Sequence, residues 1–588
     1  MIPNASLPIR HAATKASPKR QIRTLPCGRT TCQVPQEQLE WVTFENGDSA
    51  KVNLTRRRAI ALFSAATLKP SLSFAQGAIA PAAPSAAPVS LPLTAGPFTG
   101  SVDSLAKYEI PAWYGEAKFG IWSHWGPQSG VEQGDWYARN MYIPTERQYK
   151  YHLATYGPQS KVGYKDLVPM FKGAEWDPEH LMDLYQKAGA KYFFSMGVHH
   201  DNFDMWNSKH QPRWNAVATG PKRDIVGEWA KAARKRGLRF GVSEHLSNSY
   251  DWLAVSHLSD PDGSYAGIPY DGTDPAYADL YHDLSPMPAD FARHAPSMGR
   301  NAPDAWKMEY YLRVKDLVDQ HEPDMLYTDG GIPFNEYGLS TVAEVYNVSA
   351  RKHGGKVEAV YFTKTPRDVA QGGVGALDRE RGVAEGISPV PWQTDTCIGG
   401  WHYQKGGKYK SSKKVIDLLV DIVSKNGNLL LNFPLPNSGQ LDPDEMTTLE
   451  GITAWMAVNS EGIYATKPWK IYGEGPSTKV SVGNGGFNEG RKPDMGADDI
   501  RYTTKGPAMY AFVMGWPTPA AGASGSEVVL PALGTSSAQS PAKVHAVSLL
   551  GGPQNLKFVQ EAAGLRVTLP AQKPGASEIG ITLKVMTA

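Results

Sequence analysis

The chain has 588 residues, of which 41% are hydrophobic and 20% are charged, a composition typical of globular proteins that excludes a mainly disordered chain. No run of 18 or more apolar residues occurs, so the sequence predicts no membrane span. The net charge of +2 is unevenly spread, because residues 1–75 hold 11 Lys and Arg against 4 Asp and Glu. The rest of the chain is therefore mildly acidic, which argues against a nucleic-acid partner.

Residues 1–75 predict a leader for export. The basic group Arg56–Arg58 precedes the apolar stretch Ala59–Leu68, which is too short to cross a bilayer. Ser73-Phe74-Ala75 fits a small-x-small cleavage site, so we expect cleavage after Ala75. The paired arginines resemble a twin-arginine signal, which predicts a periplasmic or secreted protein. The alternative is an ordinary solvated basic patch before a helix.

The segment after the predicted cleavage site differs from the rest of the chain. Residues 76–100 are rich in Pro and Ala and nearly uncharged, a composition that predicts a flexible linker. Two of the three cysteines, Cys27 and Cys32, lie in the leader, and only Cys397 lies in the body. A disulfide framework is therefore excluded for the body.

Between residues 101 and 469, short apolar runs alternate with helical patterns. The predicted strands are Phe119–Trp122, Tyr192–Val198, Arg239–Ser243, Met325–Tyr327, Glu358–Phe362 and Asn428–Asn432. The predicted helices are Pro178–Ala188, Asp224–Arg236, Lys307–His321, Thr341–Lys352, Lys413–Asn426 and Pro443–Asn459. Near-continuous apolar strands separated by helices indicate a parallel sheet, and the number of units favours a (β/α) barrel of the TIM type, regular or irregular, over an open sheet.

The pattern changes after Trp469. Residues 470–588 show no long helical pattern, and their apolar residues alternate with polar ones between Gly, Pro, Asn and Ser. This pattern predicts a C-terminal antiparallel β-sandwich. Its expected strands include Lys479–Val482, Ala508–Val513, Glu527–Leu530, Val544–Leu550 and Leu565–Leu569.

Polar and aromatic residues follow the predicted barrel strands directly. They are Ser123-His124-Trp125, His199-His200-Asp201, Glu244-His245, Thr328-Asp329-Gly330 and Asn432. Any one of them alone is better explained as a capping or loop residue. Five strand ends of the same kind are hard to explain by capping. Because barrel enzymes hold their chemistry at this rim, the pattern predicts an active site there.

Two carboxylates stand out near this rim. Asp329 follows an apolar strand and precedes two glycines, which leaves space for a ligand, although Asp-Gly-Gly also serves a turn well. Glu380 lies in a charged stretch before Trp392, where a surface charge is the simpler explanation of that residue alone. Together, two carboxylates on a Trp-rich rim fit glycoside hydrolysis.

The pair His199 and His200 raises the alternative of a zinc hydrolase. Adjacent residues on a strand point to opposite faces, so both histidines are not expected to bind one ion. The sequence also contains no H-E-x-x-H motif. We therefore expect no metal and no other cofactor.

Several ordered motifs between Trp113 and Trp469 resemble the α-L-fucosidases of glycoside hydrolase family 29. The stretches FGIWSHWG (Phe119–Gly126) and HHD (His199–Asp201) are highly specific in combination, whereas the C-terminal segment is only compatible with the family. The motifs are Trp113-Tyr114, Lys118–Gly126 (KFGIWSHWG), Trp136-Tyr137, Val198–Phe203 (VHHDNF), the strand before Asp329, Ser424–Asn432 (SKNGNLLLN) and Asn459–Tyr464 (NSEGIY).

The resemblance implies a retaining exo-hydrolase that releases terminal α-L-fucose from fucosylated oligosaccharides or polysaccharides. It places the nucleophile on Asp329 and the acid/base on Glu380, with Glu385 as the alternative. It implies that His124, His199 and His200 bind fucose, and that Trp136 and Trp401 flank the sugar.

One departure from the family leaves other readings open. The family carries aromatic residues after the third strand, whereas this chain has Ser243-Glu244-His245. An exo-glycosidase for a related sugar such as α-L-galactose, or a carbohydrate-binding protein without catalysis, are the alternatives. The presence of both Asp329 and Glu380 argues against the second. The linkage cleaved and the oligomeric state are not predicted.

Overall fold

The computed structural model describes residues 91–284, 299–300, 302–370, 374–519, 521, 525–540 and 543–587, and the backbone of a small pair, Val42–Thr43 with Ser49–Ala50. The predicted signal motif, the predicted cleavage site and the first part of the predicted linker lie outside these residues. The chain divides into two units, Met1–Ala87 and Pro88–Ala588, and all that follows concerns the second. No helix of the described part is long and apolar enough to cross a membrane.

Eight parallel strands form a barrel, as the sequence predicts. They are β1 (Phe119–Ser123), β2 (Tyr192–Val198), β3 (Arg239–Glu244), β4 (Met325–Thr328), β5 (Val360–Thr363), β6 (Ala376–Leu377), β7 (Trp392–Cys397) and β8 (Gly427–Asn432). Their order in the sheet is β6-β5-β4-β3-β2-β1-β8-β7. Sequence reasoning missed β6 and β7, because β6 has two residues and β7 (WQTDTC) is polar for a buried strand.

The barrel is nearly closed at the gap between β6 and β7. A single parallel bridge joins Asp378 to Gln393, and the Gln393 amide nitrogen donates to Asp378 Oδ1 at 2.9 Å. One residue further, the Arg379 backbone N–H donates to the Gln393 carbonyl at 2.9 Å. These bonds fix the start of the loop that carries Glu380.

The helices surround the barrel and fill its connections. They are α1 (Val102–Leu105), α2 (Ala112–Ala117), α3 (Tyr137–Asn140), α4 (Arg147–Thr155), α5 (Tyr164–Leu167), α6 (Pro178–Lys187), α7 (Ile225–Lys235), α8 (Ser249–Trp252), α9 (Ala278–Tyr281), α10 (Asp304–His321), α11 (Glu336–Lys352), α12 (Pro366–Ala370), α13 (Ser412–Ser424) and α14 (Pro443–Asn459). All six predicted helices are present, with α10 and α11 starting earlier than expected.

Aromatic rings fill the barrel interior. Trp122, Tyr192, Phe194 and Tyr327 are buried there with other large side chains. Glycines on neighbouring strands leave room for these rings: a Cβ added at Gly120 would lie 2.1 Å from the Tyr192 ring. This packed interior is the floor beneath the C-terminal rim.

The C-terminal residues form the predicted antiparallel domain of two sheets. Its strands are β9 (Lys467–Glu474), β10 (Ile500–Lys505), β11 (Ala508–Val513), β12 (Glu527–Leu530), β13 (Val544–Leu549), β14 (Phe558–Gln560), β15 (Leu565–Thr568) and β16 (Ile581–Thr587). One sheet has the order β9-β10-β11-β16-β13 and the other β12-β15-β14. The strand predicted at Lys479–Val482 is wrong, because Pro476 starts a 3₁₀ turn that ends at Lys479.

The prediction of a flexible linker is wrong for residues 91–100. Thr94 donates its backbone N–H to Glu344 at 2.7 Å, and Phe98 donates its own to Asn347 at 2.9 Å. Both acceptors are on α11 and largely buried. Polar side chains of the helix thus satisfy the backbone of this Pro- and Ala-rich segment and hold it on the barrel.

A buried ion cluster joins the barrel to the C-terminal domain. Asp421 on α13 accepts from Arg501 on β10 and from Lys425, both at 2.7 Å, and from Lys492 at 3.0 Å. Burial alone would raise the pKa of Asp421, but these three cations hold it well below its ordinary value. Removing one partner of such a cluster costs about 3–5 kcal/mol, so the orientation of the two domains is strongly fixed.

Candidate active site

A pocket of about 180 Å³ opens at the C-terminal rim of the barrel. Pockets for drug-sized ligands are typically about 300–1,000 Å³, so this one suits a smaller molecule such as a single sugar ring. It contains every residue for which the sequence predicts a catalytic or binding role, apart from the alternative Glu385. The lining residues are Trp122, His124, Asp135, Trp136, His199, His200, His245, Tyr327, Asp329, Lys364, Glu380, Asp395, Trp401 and Phe487.

Asp329 directly follows strand β4 and lines the pocket. The Asp329 backbone N–H donates to the Glu244 carbonyl at 3.2 Å, which continues the β3–β4 pairing by one residue. Oδ2 of Asp329 lies 3.2 Å from His200 Nε2 and 3.5 Å from His245 Nδ1. The carboxylate is therefore held on one side by imidazoles while its side chain stays 19% exposed to the pocket.

Glu244, at the position where the sequence departs from the family, has a supporting place below the pocket. Its carboxylate is fully buried and accepts from Thr328 Oγ1 at 2.5 Å, from Tyr310 at 3.2 Å and from the Leu246 N–H at 3.0 Å. Burial raises the pKa of Glu244 to about 7, although these donors lower it. Because Thr328 precedes Asp329, Glu244 fixes the end of the strand that carries the candidate nucleophile.

Lys364, at the end of β5, joins the two candidate catalytic carboxylates. Its Nζ lies 2.5 Å from Asp329 Oδ1 and 2.5 Å from Glu380 Oε2. Two contacts of this length to one nitrogen limit the distance between those two oxygens to about 5 Å. Retaining glycosidases hold their two carboxyl groups about 5–5.5 Å apart, whereas inverting ones need about 6.5–9.5 Å.

The two carboxylates have opposite pKa shifts. Burial alone would raise the pKa of Asp329, but Lys364 and then His245 and His200 lower it well below the usual aspartate range. Burial raises the pKa of Glu380. The charge of Lys364 opposes this rise, whereas the charges of Asp395 and Asp329 increase it. A carboxyl group with a lowered pKa beside one with a raised pKa is the arrangement expected of a nucleophile and an acid.

Glu385, the alternative acid/base, lies outside the pocket. Its carboxylate accepts from the Gly483 backbone N–H at 2.6 Å, on the surface. Hydrogen bonds there, first from Ser481, lower the pKa of Glu385, the opposite of what a proton donor needs. The geometry thus favours Glu380 for the role.

The expectation that His199 and His200 point to opposite faces is wrong. Their ring centroids are 4.5 Å apart and both rings line the pocket. Strand β2 ends at Val198 and its pairing with β3 shifts register between Met196 and Val198. Side-chain alternation therefore does not extend to the two histidines.

The pocket histidines are buried and offer polar atoms to a ligand. Burial, then neighbouring imidazoles, lowers the pKa of His124 and His199 well below the ordinary value, so both are neutral near pH 7. His124 Nδ1 and His245 Nε2 are buried without a hydrogen-bond partner among the described residues. Unsatisfied buried atoms of this kind cost about 1–3 kcal/mol each, and sugar hydroxyls can satisfy them.

Aromatic rings form the walls of the pocket. Trp401 packs against Trp122 and His124, each with ring centroids 5.5 Å apart. Trp136 lies on the other side, 6.1 Å from the His200 ring, in a left-handed backbone conformation and 37% exposed. Beside it, Asp135 accepts from His402 Nδ1 at 2.6 Å, and the His402 ring packs against those of His124 and His199.

Pocket residues that sequence reasoning did not assign to the site include Lys364, Asp135, Asp395 and Phe487. His402 lies behind the pocket, against the rings of His124 and His199. Lys364 directly follows β5, so the same strand-end argument that marked Asp329 would have found it. Asp395 lies inside β7, a strand that was missed. Nothing in the local sequence of His402 or Phe487 marks either residue.

Two groups of side chains bring ligand atoms close enough to hold a metal ion. They are His124, Asp135, His199 and His402, and His199, His200 and His245. Both groups include nitrogens that already serve protein partners, such as His199 Nδ1, 2.9 Å from Gln128. The expectation of a metal-independent enzyme stays a prediction.

The chain is similar to known proteins along most of its length. Residues 86–461 match the family model for α-L-fucosidase, and residues 493–586 match that for the α-L-fucosidase C-terminal domain. Tissue α-L-fucosidases from Bos taurus and Homo sapiens are each 27% identical, covering 83% of this chain and 91% of the relative.

A solved structure supports the same relationship. The α-fucosidase of Thermotoga maritima in complex with fucose matches with a TM-score of 0.61 and 25% identity, covering 83% of this chain and all of that one. The family model alone spans more than half of the chain. On this evidence the chain belongs to the α-L-fucosidase family.

Proposed function

We propose that this protein is a retaining exo-α-L-fucosidase in which Asp329 is the nucleophile and Glu380 is the acid/base. The observation that carries the proposal is the Lys364 bridge, which keeps two carboxylate oxygens within about 5 Å while their pKa values shift in opposite directions. This short distance fits the closely spaced carboxyl pair of a retaining enzyme better than the wider pair of an inverting one.

In the first step, ionised Asp329 attacks the anomeric carbon while Glu380 protonates the leaving oxygen. The product is a fucosyl ester on Asp329 with inverted configuration. In the second step, Glu380 is a carboxylate and takes a proton from water, which attacks the anomeric carbon, releases Asp329 as a carboxylate and restores the α configuration. The first step leaves Glu380 as a carboxylate and the second gives it a proton from water, so the two steps together return the protein to its starting state.

The pocket suits fucose for two reasons. The sugar has three free hydroxyls besides the anomeric one, and neutral imidazoles such as His124 and His199 can both donate to and accept from them. The 6-deoxy methyl group gives the sugar an apolar corner that fits an aromatic wall such as Trp401 or Trp122. α-L-Galactose carries a hydroxymethyl group there, whose hydroxyl would lose hydrogen bonds to water against such a wall.

The roles of the two carboxylates separate in single variants. Asp329→Ala should abolish turnover of every fucoside, because the first step needs the nucleophile however good the leaving group is. Glu380→Ala should slow natural fucosides by about 10²–10⁴-fold but spare the first step of dinitrophenyl fucoside, whose leaving group needs little protonation. Steady-state and pre-steady-state kinetics measure both effects. Added azide should restore turnover of both variants. With Glu380→Ala it attacks the fucosyl ester and gives α-fucosyl azide, and with Asp329→Ala it attacks the substrate directly and gives β-fucosyl azide.

Glu385→Ala is the matched control, since it removes a nearby surface carboxylate. It should behave as wild type, and a loss confined to Glu385→Ala would move the acid/base role to that residue.

Chelation with EDTA should leave wild-type turnover unchanged. Activity that disappears on chelation and returns with zinc would contradict the two-carboxylate mechanism.

The charge of Lys364 should set the pH range of activity. It lowers the pKa of both Asp329 and Glu380, so Lys364→Gln should raise both values and move the two limbs of the kcat/KM profile to higher pH. Lys364→Arg, which keeps the charge, should leave the limbs near wild type. Lys356→Gln, an exposed lysine before β5, is the control. A Lys364→Gln profile that does not move would contradict this role.

We further propose that the protein is exported through the twin-arginine route. The support is sequence alone: Arg56–Arg58, the short apolar stretch after them and the small residues at Ser73-Phe74-Ala75. In a bacterial host with that route, periplasmic protein should begin at Gln76 by N-terminal sequencing, and replacing Arg56–Arg58 with lysines should block export. Cytoplasmic protein that keeps Met1 in the unaltered chain would contradict the proposal.

A further inference from the structure

A segment of the C-terminal domain reaches the pocket of the barrel. Residues 483–489 (GNGGFNE), here called the Phe487 segment, belong to the connection between β9 and β10. They lie between the two stretches that match the family models, which end at residue 461 and begin at residue 493. The segment is therefore a feature of this chain that neither match covers.

The Phe487 segment runs along the loop that carries Glu380. The Phe487 backbone N–H donates to the Glu380 carbonyl at 2.7 Å, and the Glu489 N–H donates to the Arg381 carbonyl at 2.9 Å. Asn488 accepts from the Val383 N–H at 2.7 Å and returns a bond to its carbonyl at 3.0 Å. The two segments thus form one backbone-bonded unit at the pocket edge.

Side chains hold this unit on both domains. Glu489 lies 3.0 Å from Lys410 and accepts from Thr396 Oγ1 at 2.8 Å, which ties it to the end of β7. Three residues further, Lys492 joins the buried cluster around Asp421. The segment therefore has a fixed position relative to Glu380.

The Phe487 side chain is unusually placed for a phenylalanine. It is 65% exposed although it lines the pocket together with Glu380 and Trp136. Its φ of 54° is in the left-handed region, which is costly for a bulky residue. A ring held in this backbone conformation beside the candidate acid, with most of its surface outside the core, points to a role in binding rather than in folding.

We propose that Phe487 forms the binding platform for the leaving group, the part of the glycan that Glu380 protonates. This inference rests on the proposed function, because the acid of a glycosidase lies on the leaving-group side of the bond it cleaves. The partner that fits is a neutral pyranose, whose C–H face can pack on the exposed ring as one more apolar surface.

The prediction compares a leaving group that reaches the ring with one that does not. With a fucosylated disaccharide, Phe487→Ala should lower kcat/KM about three- to tenfold, the range expected for loss of one aromatic contact. With α-L-fucosyl fluoride, whose leaving group is a single atom, the same variant should match wild type. Phe487→Tyr, which keeps the ring, should match wild type on both substrates, and so should Val559→Ala, an exposed apolar residue of β14.

The outcomes distinguish this proposal from the proposed function. If Phe487→Ala leaves the disaccharide unaffected, or slows the fluoride as strongly as the disaccharide, the ring is no leaving-group platform and the proposal is wrong. If the wild-type protein cleaves neither substrate, the proposed function itself fails. Inhibition by free fucose should differ less between the wild type and Phe487→Ala than kcat/KM on the disaccharide does, since the monosaccharide has no leaving group to pack on the ring.

Discussion

The site depends on placing two carboxylates about 5 Å apart in a buried pocket, an arrangement that like charges oppose. Lys364 makes it possible, because its ammonium contacts both Asp329 and Glu380. Lys364 affects the two groups unequally. At Asp329, His245 and His200 lower the pKa further, whereas at Glu380 burial and the nearby charge of Asp395 outweigh Lys364 and raise the pKa. The pKa of one carboxyl group is thus lowered and that of its neighbour raised, and this asymmetry is what a double-displacement reaction requires.

Asp329, Lys364 and Glu380 lie on separate elements of the fold, and contacts outside the pocket hold these elements in place. Asp329 follows β4, whose end is held by the buried carboxylate of Glu244. Lys364 follows β5, and Glu380 lies on the loop that starts where β6 and β7 are bridged. That loop also bonds to the C-terminal domain, which is tied to the barrel by the cluster around Asp421. The second domain therefore supports the loop of Glu380 directly.

Much of this arrangement was predictable from the sequence because barrel strands are apolar and end in polar residues. The strand-end pattern located Asp329, His124 and the His199 pair, and the family resemblance added Glu380. Periodicity failed where tertiary contacts decide: β7 is a polar strand buried by its neighbours, and the predicted linker packs on α11. The alternation rule failed at His199 and His200 because β2 had already ended. Contacts between domains, such as that of Phe487 with the Glu380 loop, have no local signal at all.

The central claim is that Asp329 forms a covalent bond with the sugar, and trapping that bond tests it most directly. A 2-deoxy-2-fluoro-α-L-fucosyl fluoride slows the second step more than it slows the first, so the ester should accumulate. Mass spectrometry of the protease-digested protein should then find one fluorofucosyl group, on the peptide that contains Asp329. Label on another carboxylate, or no label while the inhibitor is hydrolysed with inversion, would contradict the account.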